Sequence, residues 1–168
     1  MEDGKNGRQK EKEYTKSIPR PKNSRYHATP PNEGIRAYFS DVRRTLENTE
    51  TTLVDVRSPK EFAGEITAPP EYPMEHAQRG GHIPRAKNIP WLQALKYDGT
   101  FKDPEELKKL YIEKGVTPDK NVICYCRIGE RSSHTWFVLK YLLGYPSVRN
   151  YDGSWTEWGN MIGNPIEK

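Results

Sequence analysis

Cys126 has the strongest claim to covalent chemistry in this chain. It closes the apolar run NVICYC at 121–126 and is followed by RIGERS and then by a helix-forming stretch. A cysteine that ends a buried strand and opens a loop into a helix N-terminus sits where backbone N–H groups can converge on one anion. The helix dipole adds partial positive charge at the same spot. Arg127 and Arg131 add two guanidinium groups. Each of these features favours thiolate, the attacking form, over thiol. They also suit a substrate oxyanion, because planar guanidinium groups and convergent N–H donors match a sulfonate or phosphate. Gly129 lets the loop turn without a Cβ penalty. The alternative is an inert buried cysteine, which is common for this residue type. Arg127, Glu130 and Arg131 argue against burial of the loop, and Cys124, inside the strand, reads as a small core residue.

Loop length narrows the anion. Cysteine phosphatases place five residues between the nucleophile and the arginine, wrapping a phosphate-sized group. Here Arg131 follows after four residues and Ser132 after five. The shorter loop favours attack on a terminal sulfur over attack on phosphorus. No metal site is expected, since Cys124 and Cys126 have no histidines at matching spacing. His134 reads as a helix residue and His82 as a loop hydrogen-bonder. The two cysteines are expected to be poorly placed to bond to each other, because side chains alternate along a strand. No cofactor is implied.

The elements around Cys126 must position it. Ile35, Tyr38, Phe39, Val42 and Leu46 recur at helical spacing and predict a helix over about 34–47. TTLVDVRS at 51–58 predicts a buried parallel strand. A long irregular connection over 64–85 follows, then a short strand at Ala86–Ile89. Asp103, Pro104 and Glu106 open a helix through a capping box, and Gly115 ends it. Ser132 or Ser133 is expected to cap the helix after the loop, with Gly144 and Pro146 closing it. Residues 147–151 predict a last strand and 154–162 a turn of helix. Strands alternating with helices imply a three-layer α/β domain, a parallel sheet of about five strands covered on both faces. Ligands of such sheets bind beyond the carboxyl ends of the strands, where Cys126 lies.

Composition places the 168 residues as one domain with an arm. Apolar residues make up only 33%, so part of the chain is expected to lie outside the core. Eight of the 27 Lys and Arg but only four of the 23 Asp and Glu fall in residues 1–25, so the formal charge of +4 belongs to that segment and the rest balances. Residues 1–32 read as an extended basic linker or tail and 33–168 as the domain. A basic arm could touch nucleic acid or membrane. Only Tyr14 interleaves an aromatic ring with its charges, so a solvated tail is expected, with neither as partner. No run of 18 apolar residues is present, and the N-terminus lacks a secretory apolar core. Two cysteines and no leader fit a reducing, cytoplasmic setting.

CRIGERSSHTWFVL at 126–139 resembles the active-site segment of thiosulfate sulfurtransferases, the rhodanese family. LVDVRSPKEFAGE at 53–65, GGHIPRAKNIP at 80–90 and NYDGSWTEWGN at 150–160 resemble three further signatures of that family, in the right order. The connection at 64–79 and the WTEW ending are similar to the second, catalytic domain of two-domain rhodaneses, whose active site lies between the domains. The chain would then be a fragment or a single-domain version, with a second rhodanese domain or a homodimer contact as partner. By this resemblance Cys126 accepts sulfur, and Arg127 to Arg131, through Ile128, Gly129 and Glu130, form the substrate loop. Arg127 and Arg131 would bind the sulfonate; mercaptopyruvate enzymes carry small neutral residues there. Asp55 and Arg57 match positions that shape the cleft, or form a structural ion pair. Asp152 is a supporting residue of the YDGS turn.

The reaction so implied is ping-pong transfer of sulfane sulfur from thiosulfate to cyanide or a thiol through a cysteine persulfide. A carrier module handing sulfur to a protein partner, and 3-mercaptopyruvate as donor, are the alternatives. A cysteine phosphatase and a purely structural domain are the more distant ones.

Overall fold

The computed structural model describes residues 15–72 and 76–168. Part of the predicted basic arm, residues 1–14, lies outside them. Residues 15–36 are exposed throughout.

Regular structure begins with β1 (Arg36–Ala37) and α1 (Phe39–Thr45). These are followed by β2 (Thr51–Asp55), α2 (Pro59–Phe62) and β3 (Lys87–Asn88), then a 3-10 turn (Trp91–Ala94). After α3 (Pro104–Ile112) and β4 (Asn121–Tyr125) comes α4 (Glu130–Phe137), continued by a π-turn (Val138–Leu142). The chain ends with β5 (Val148–Tyr151) and α5 (Ser154–Trp158). The five strands form one parallel sheet in the order β1-β5-β4-β2-β3.

Period-two alternation divides the core into two layers. Val122 and Cys124 of β4, and Cys126 just beyond it, face one layer with Leu107, Tyr111, Val138 and Leu139. Ile123 and Tyr125 face the other, with Val42, Ile83, Trp155 and Trp158. Central strands apolar on both sides are what a sheet covered by helices on both faces requires.

Three elements differ from the sequence expectations. The helix predicted over 34–47 begins only at Phe39, because Ile35–Ala37 is taken by the sheet: Asn150 N–H donates to Ile35 O at 2.8 Å. Tyr38 becomes the N-cap residue, and its N–H donates to Asp41 Oδ2 at 2.9 Å. Strand β2 stops at Asp55 because that carboxylate accepts the Arg57 N–H at 3.0 Å, turning the chain out of the ladder. The helix after the loop starts two residues before Ser132: Gly129 is its N-cap and Glu130 its first residue. The capping of α3 matches its prediction, with Asp103 N–H donating to Glu106 Oε2 at 3.3 Å.

Leu107 is fully buried. Its replacement by alanine is expected to cost about 2–5 kcal/mol. Asp103→Ala at the exposed cap is expected to cost about 1 kcal/mol. Urea denaturation of the two variants checks the ratio.

Candidate active site

Cys126 lies just past the carboxyl end of β4, between β2 and β5. Its main chain is held on both sides. Its N–H donates to Ser154 Oγ at 3.1 Å, and its C=O accepts the Trp155 N–H at 3.0 Å. Arg127 O accepts the Thr156 N–H at 3.0 Å. Ser154 has φ +50°, an uncommon conformation for a residue with a side chain. It uses that conformation to donate its hydroxyl to Tyr151 O at 2.6 Å while receiving Cys126. The first turn of α5 is thus a clamp on the root of the loop.

The sulfur is met from the other side by α4. Ser132 Oγ donates to Cys126 Sγ at 3.6 Å, and Ser132 is wholly buried. Ser132 is the third residue of α4, so this contact sets the first turn of that helix, whose amides lack intrahelical acceptors, beside the sulfur. Gly129 makes the turn into α4 with φ +86°. A Cβ there would stand 2.6 Å from Asp152 Cα. The loop therefore packs its glycine directly on the YDGS turn. Asp152 in turn pairs with Arg36 Nη2 at 2.9 Å and accepts the Gly153 N–H at 3.0 Å.

The charged groups are arranged in one buried and one half-buried pair. Arg57, 1% exposed, donates to Asp55 through Nε at 3.0 Å and Nη2 at 2.6 Å, and to Gly81 O at 2.7 Å. Its Cζ lies 4.6 Å over the Trp155 ring and 5.8 Å from the Tyr125 ring. Burial works against its charge, but the Asp55 carboxylate raises its pKa above the usual arginine value. Arg131 donates in a fork to Glu61, Nη1 to Oε2 at 2.9 Å and Nη2 to Oε1 at 2.8 Å. Burial alone would raise the Glu61 pKa; the Arg131 guanidinium and the Ser58 N–H and hydroxyl outweigh it and hold the carboxyl below the ordinary range.

Arg127 is buried, with its Cζ 5.1 Å from the Tyr72 ring centroid, whereas Ile128 and Glu130 stand exposed at the rim. Charged neighbours do not lift the loop out of the protein as the sequence suggested: Cys126 and Arg127 are both buried at its root. The cysteine geometry also differs from expectation. Positions two apart share a face, so Cys124 and Cys126 lie in the same core layer, both as free thiols. Burial pushes the Cys124 thiol up, as suits a core residue. Of the two roles open to Asp55 and Arg57, the structure shows the ion pair. His82 is a loop hydrogen-bonder, with Nδ1 2.9 Å from Phe62 O, and His134 is a helix residue packed against Trp91 and Phe101.

Three site residues were missing from the sequence reading. Ser132 had been read only as a cap, and Ser154 and Glu61 not at all. Glu61 could have been found as the third residue after Ser58 in a capping box, but its contact with Arg131 spans 70 positions.

The site is thus a cysteine just beyond a central strand of a parallel sheet, with the first turn of a helix against its sulfur. Residues 39–161 match the rhodanese-like domain, and the chain belongs to that family. It is 57% identical over 157 residues to a sulfur carrier protein, TtuD, of Thermus thermophilus, covering 92% of this chain and 55% of that one. It is 55% identical over 156 residues to a Saccharopolyspora erythraea protein provisionally named a thiosulfate sulfurtransferase, covering 93% and 55%. The chain thus spans little more than half the length of these relatives. Among solved structures, an EanB variant in complex with ergothioneine superposes with a TM-score of 0.79 at 27% identity, covering 90% of this chain and 36% of that one. No helix among the described residues is long and apolar enough to cross a membrane.

Gly129→Ala is expected to shift the loop off the Asp152 turn and to slow any reaction at Cys126 by about 100-fold, measured as the rate of sulfur loading. Arg57→Ala strands the buried Asp55 charge and is expected to destabilise the domain by about 3–5 kcal/mol in urea denaturation. Glu61, with its depressed pKa, stabilises the fold above the unfolded-state value of about 4.3. That contribution is lost as pH falls through the folded-state pKa. The stability gap between wild type and Glu61→Gln is therefore expected to shrink when unfolding is measured at successively lower pH.

Proposed function

We propose that this domain moves sulfane sulfur from thiosulfate to a thiophilic acceptor through a persulfide on Cys126. The observation that carries the reading is the sulfur's setting: Sγ receives the Ser132 hydroxyl in the first turn of α4, at the mouth of a short glycine-turned loop. Family membership and the names of the relatives support sulfur as the cargo. The Cys126 thiolate attacks the outer sulfur of thiosulfate. An Sγ–S bond forms, the S–S bond of the donor breaks, and sulfite leaves with the electron pair. The Ser132 hydroxyl and the loop amides then hold the terminal persulfide anion. Cyanide or a thiolate removes that sulfur and restores the Cys126 thiolate.

In this reading Arg127, whose guanidinium lies against the Tyr72 ring, takes the sulfonate of the donor. Ile128, Gly129 and Glu130 shape the rim, and Arg131, Arg57, Asp55 and Asp152 hold the loop in place. Residues 33–168 carry the reaction and 1–32 form an arm. No metal or organic cofactor takes part. A guanidinium at position 127 attracts the dianion thiosulfate more strongly than 3-mercaptopyruvate, which carries a single carboxylate charge. The identity to a named sulfur carrier favours a second reading, in which the final acceptor is a protein that docks at the exposed loop rim.

Intact-mass measurement after incubation with thiosulfate tests the reaction. Wild type is expected to gain one sulfur, about 32 Da, and to lose it to cyanide with thiocyanate formed; Cys126→Ser is expected to gain none. An unmodified wild type would sink the thiosulfate reading. Rapid loading with slow cyanide turnover would favour the carrier. Arg127→Ala is expected to raise KM for thiosulfate about tenfold to 100-fold, read from steady-state kinetics.

A further inference from the structure

We propose that Glu61 is a positioning residue for Cys126 and acts on the reacting sulfur through Arg131; its catalytic consequence rests on the sulfur-transfer reading above. The anchor is built before Arg131 arrives. Glu61 is 1% exposed, and its Oε2 accepts the Ser58 N–H at 3.0 Å and the Ser58 hydroxyl at 2.9 Å. The carboxylate is therefore fixed by the N-cap of α2. The two-pronged contact with Arg131 then holds a guanidinium in one plane. Arg131 immediately precedes Ser132, whose hydroxyl reaches the sulfur. Pinning residue 131 pins that hydroxyl, so the first turn of α4 needs no rearrangement as charge moves onto the outer sulfur.

Glu61 also sets how much positive charge the sulfur faces. The Arg131 guanidinium interacts electrostatically with Cys126 and with Arg57. Arg57 brings its own counter-charge, Asp55. With Glu61 ionised, Arg131 and Arg57 have one carboxylate each. Without that anion, Arg131 would favour the thiolate further. A more stabilised thiolate is less basic and a weaker nucleophile toward the donor sulfur. Glu61 thus keeps the thiolate, once formed, basic enough to attack.

The test is the ionisation midpoint of Cys126, read as ultraviolet thiolate absorbance against Cys126→Ser in each background, beside loading kinetics with thiosulfate. In Glu61→Gln the midpoint is expected to fall by about 0.5–1 pH unit, and loading at saturating thiosulfate, measured above both midpoints, to slow about 1.5-fold to threefold. KM is expected to change by less than about threefold. Glu61→Gln/Arg131→Gln is expected to return the midpoint to within about 0.2 of wild type. Glu61→Asp keeps the charge but shortens the reach, so it is expected to leave the midpoint in place while loading slows. A lower melting temperature with an unmoved midpoint in Glu61→Gln would make Glu61 structural only and overturn the proposal. A shift that persists in the double variant would overturn the route through Arg131. Unchanged loading in Glu61→Asp would overturn the positioning role. If wild type takes no sulfur from thiosulfate yet the midpoints move as expected, the sulfur-transfer reading fails while the action of Glu61 on the sulfur stands.

Discussion

The buried guanidinium of Arg57 is the contact on which this architecture turns. A charge that is 1% exposed persists only if its partners satisfy it completely. Those partners come from three of the four signature segments and from the end of β4. Asp55 ends β2, Gly81 belongs to the connection before β3, Tyr125 ends β4, and Trp155 opens the last helix. To bury Arg57 is to bring the carboxyl ends of the strands and the first turn of α5 to one place. Removing either partner of the pair leaves an uncompensated charge in the core, so the arrangement is close to all-or-none.

From that hub the constraints pass outward to the sulfur. Trp155 is held over Arg57, and its neighbour Ser154 adopts a left-handed backbone to take the Cys126 N–H. The same turn offers its backbone to Gly129, which packs so closely that no side chain fits. On the far side, Glu61 fixes Arg131 and with it the turn that carries Ser132. The sulfur is thus held by backbone clamps from one helix and by a hydroxyl from another. Neither arrangement involves an apolar contact that could slide. Chemistry at that sulfur would need this rigidity, because a reactant must meet it in line and the product must find its hydrogen bonds waiting.

Much of this was legible in advance. The runs at 51–55 and 121–125 identified the central strands, because strands covered on both faces are apolar on both sides along their centres. The Asp103–Glu106 capping box located α3 through local chemistry alone. Cys126 stood out for the same reason: its type, its place at a strand end and the glycine three residues on are all short-range signals. The misreadings were long-range. Ile35 fits a helix period, but the edge of the sheet offered β5 as a partner and the ladder won. Charged residues around the loop suggested exposure, yet Arg127 and Arg131 were carried inward by partners distant in sequence.

The sequence by itself determined that Cys126 ends a buried parallel strand and opens a glycine-containing loop, since strand patterning, glycine placement and the family signatures are all written locally. Only the tertiary structure decided what each arginine does. A guanidinium is the same group whether it binds a substrate anion or a buried carboxylate. The choice depends on which anion the fold brings within hydrogen-bond reach. For Arg57 that anion is two residues away, and for Arg131 it is seventy. Ser132 and Ser154 belong with them, because a serine hydroxyl acquires a role only when packing leaves it one partner to face.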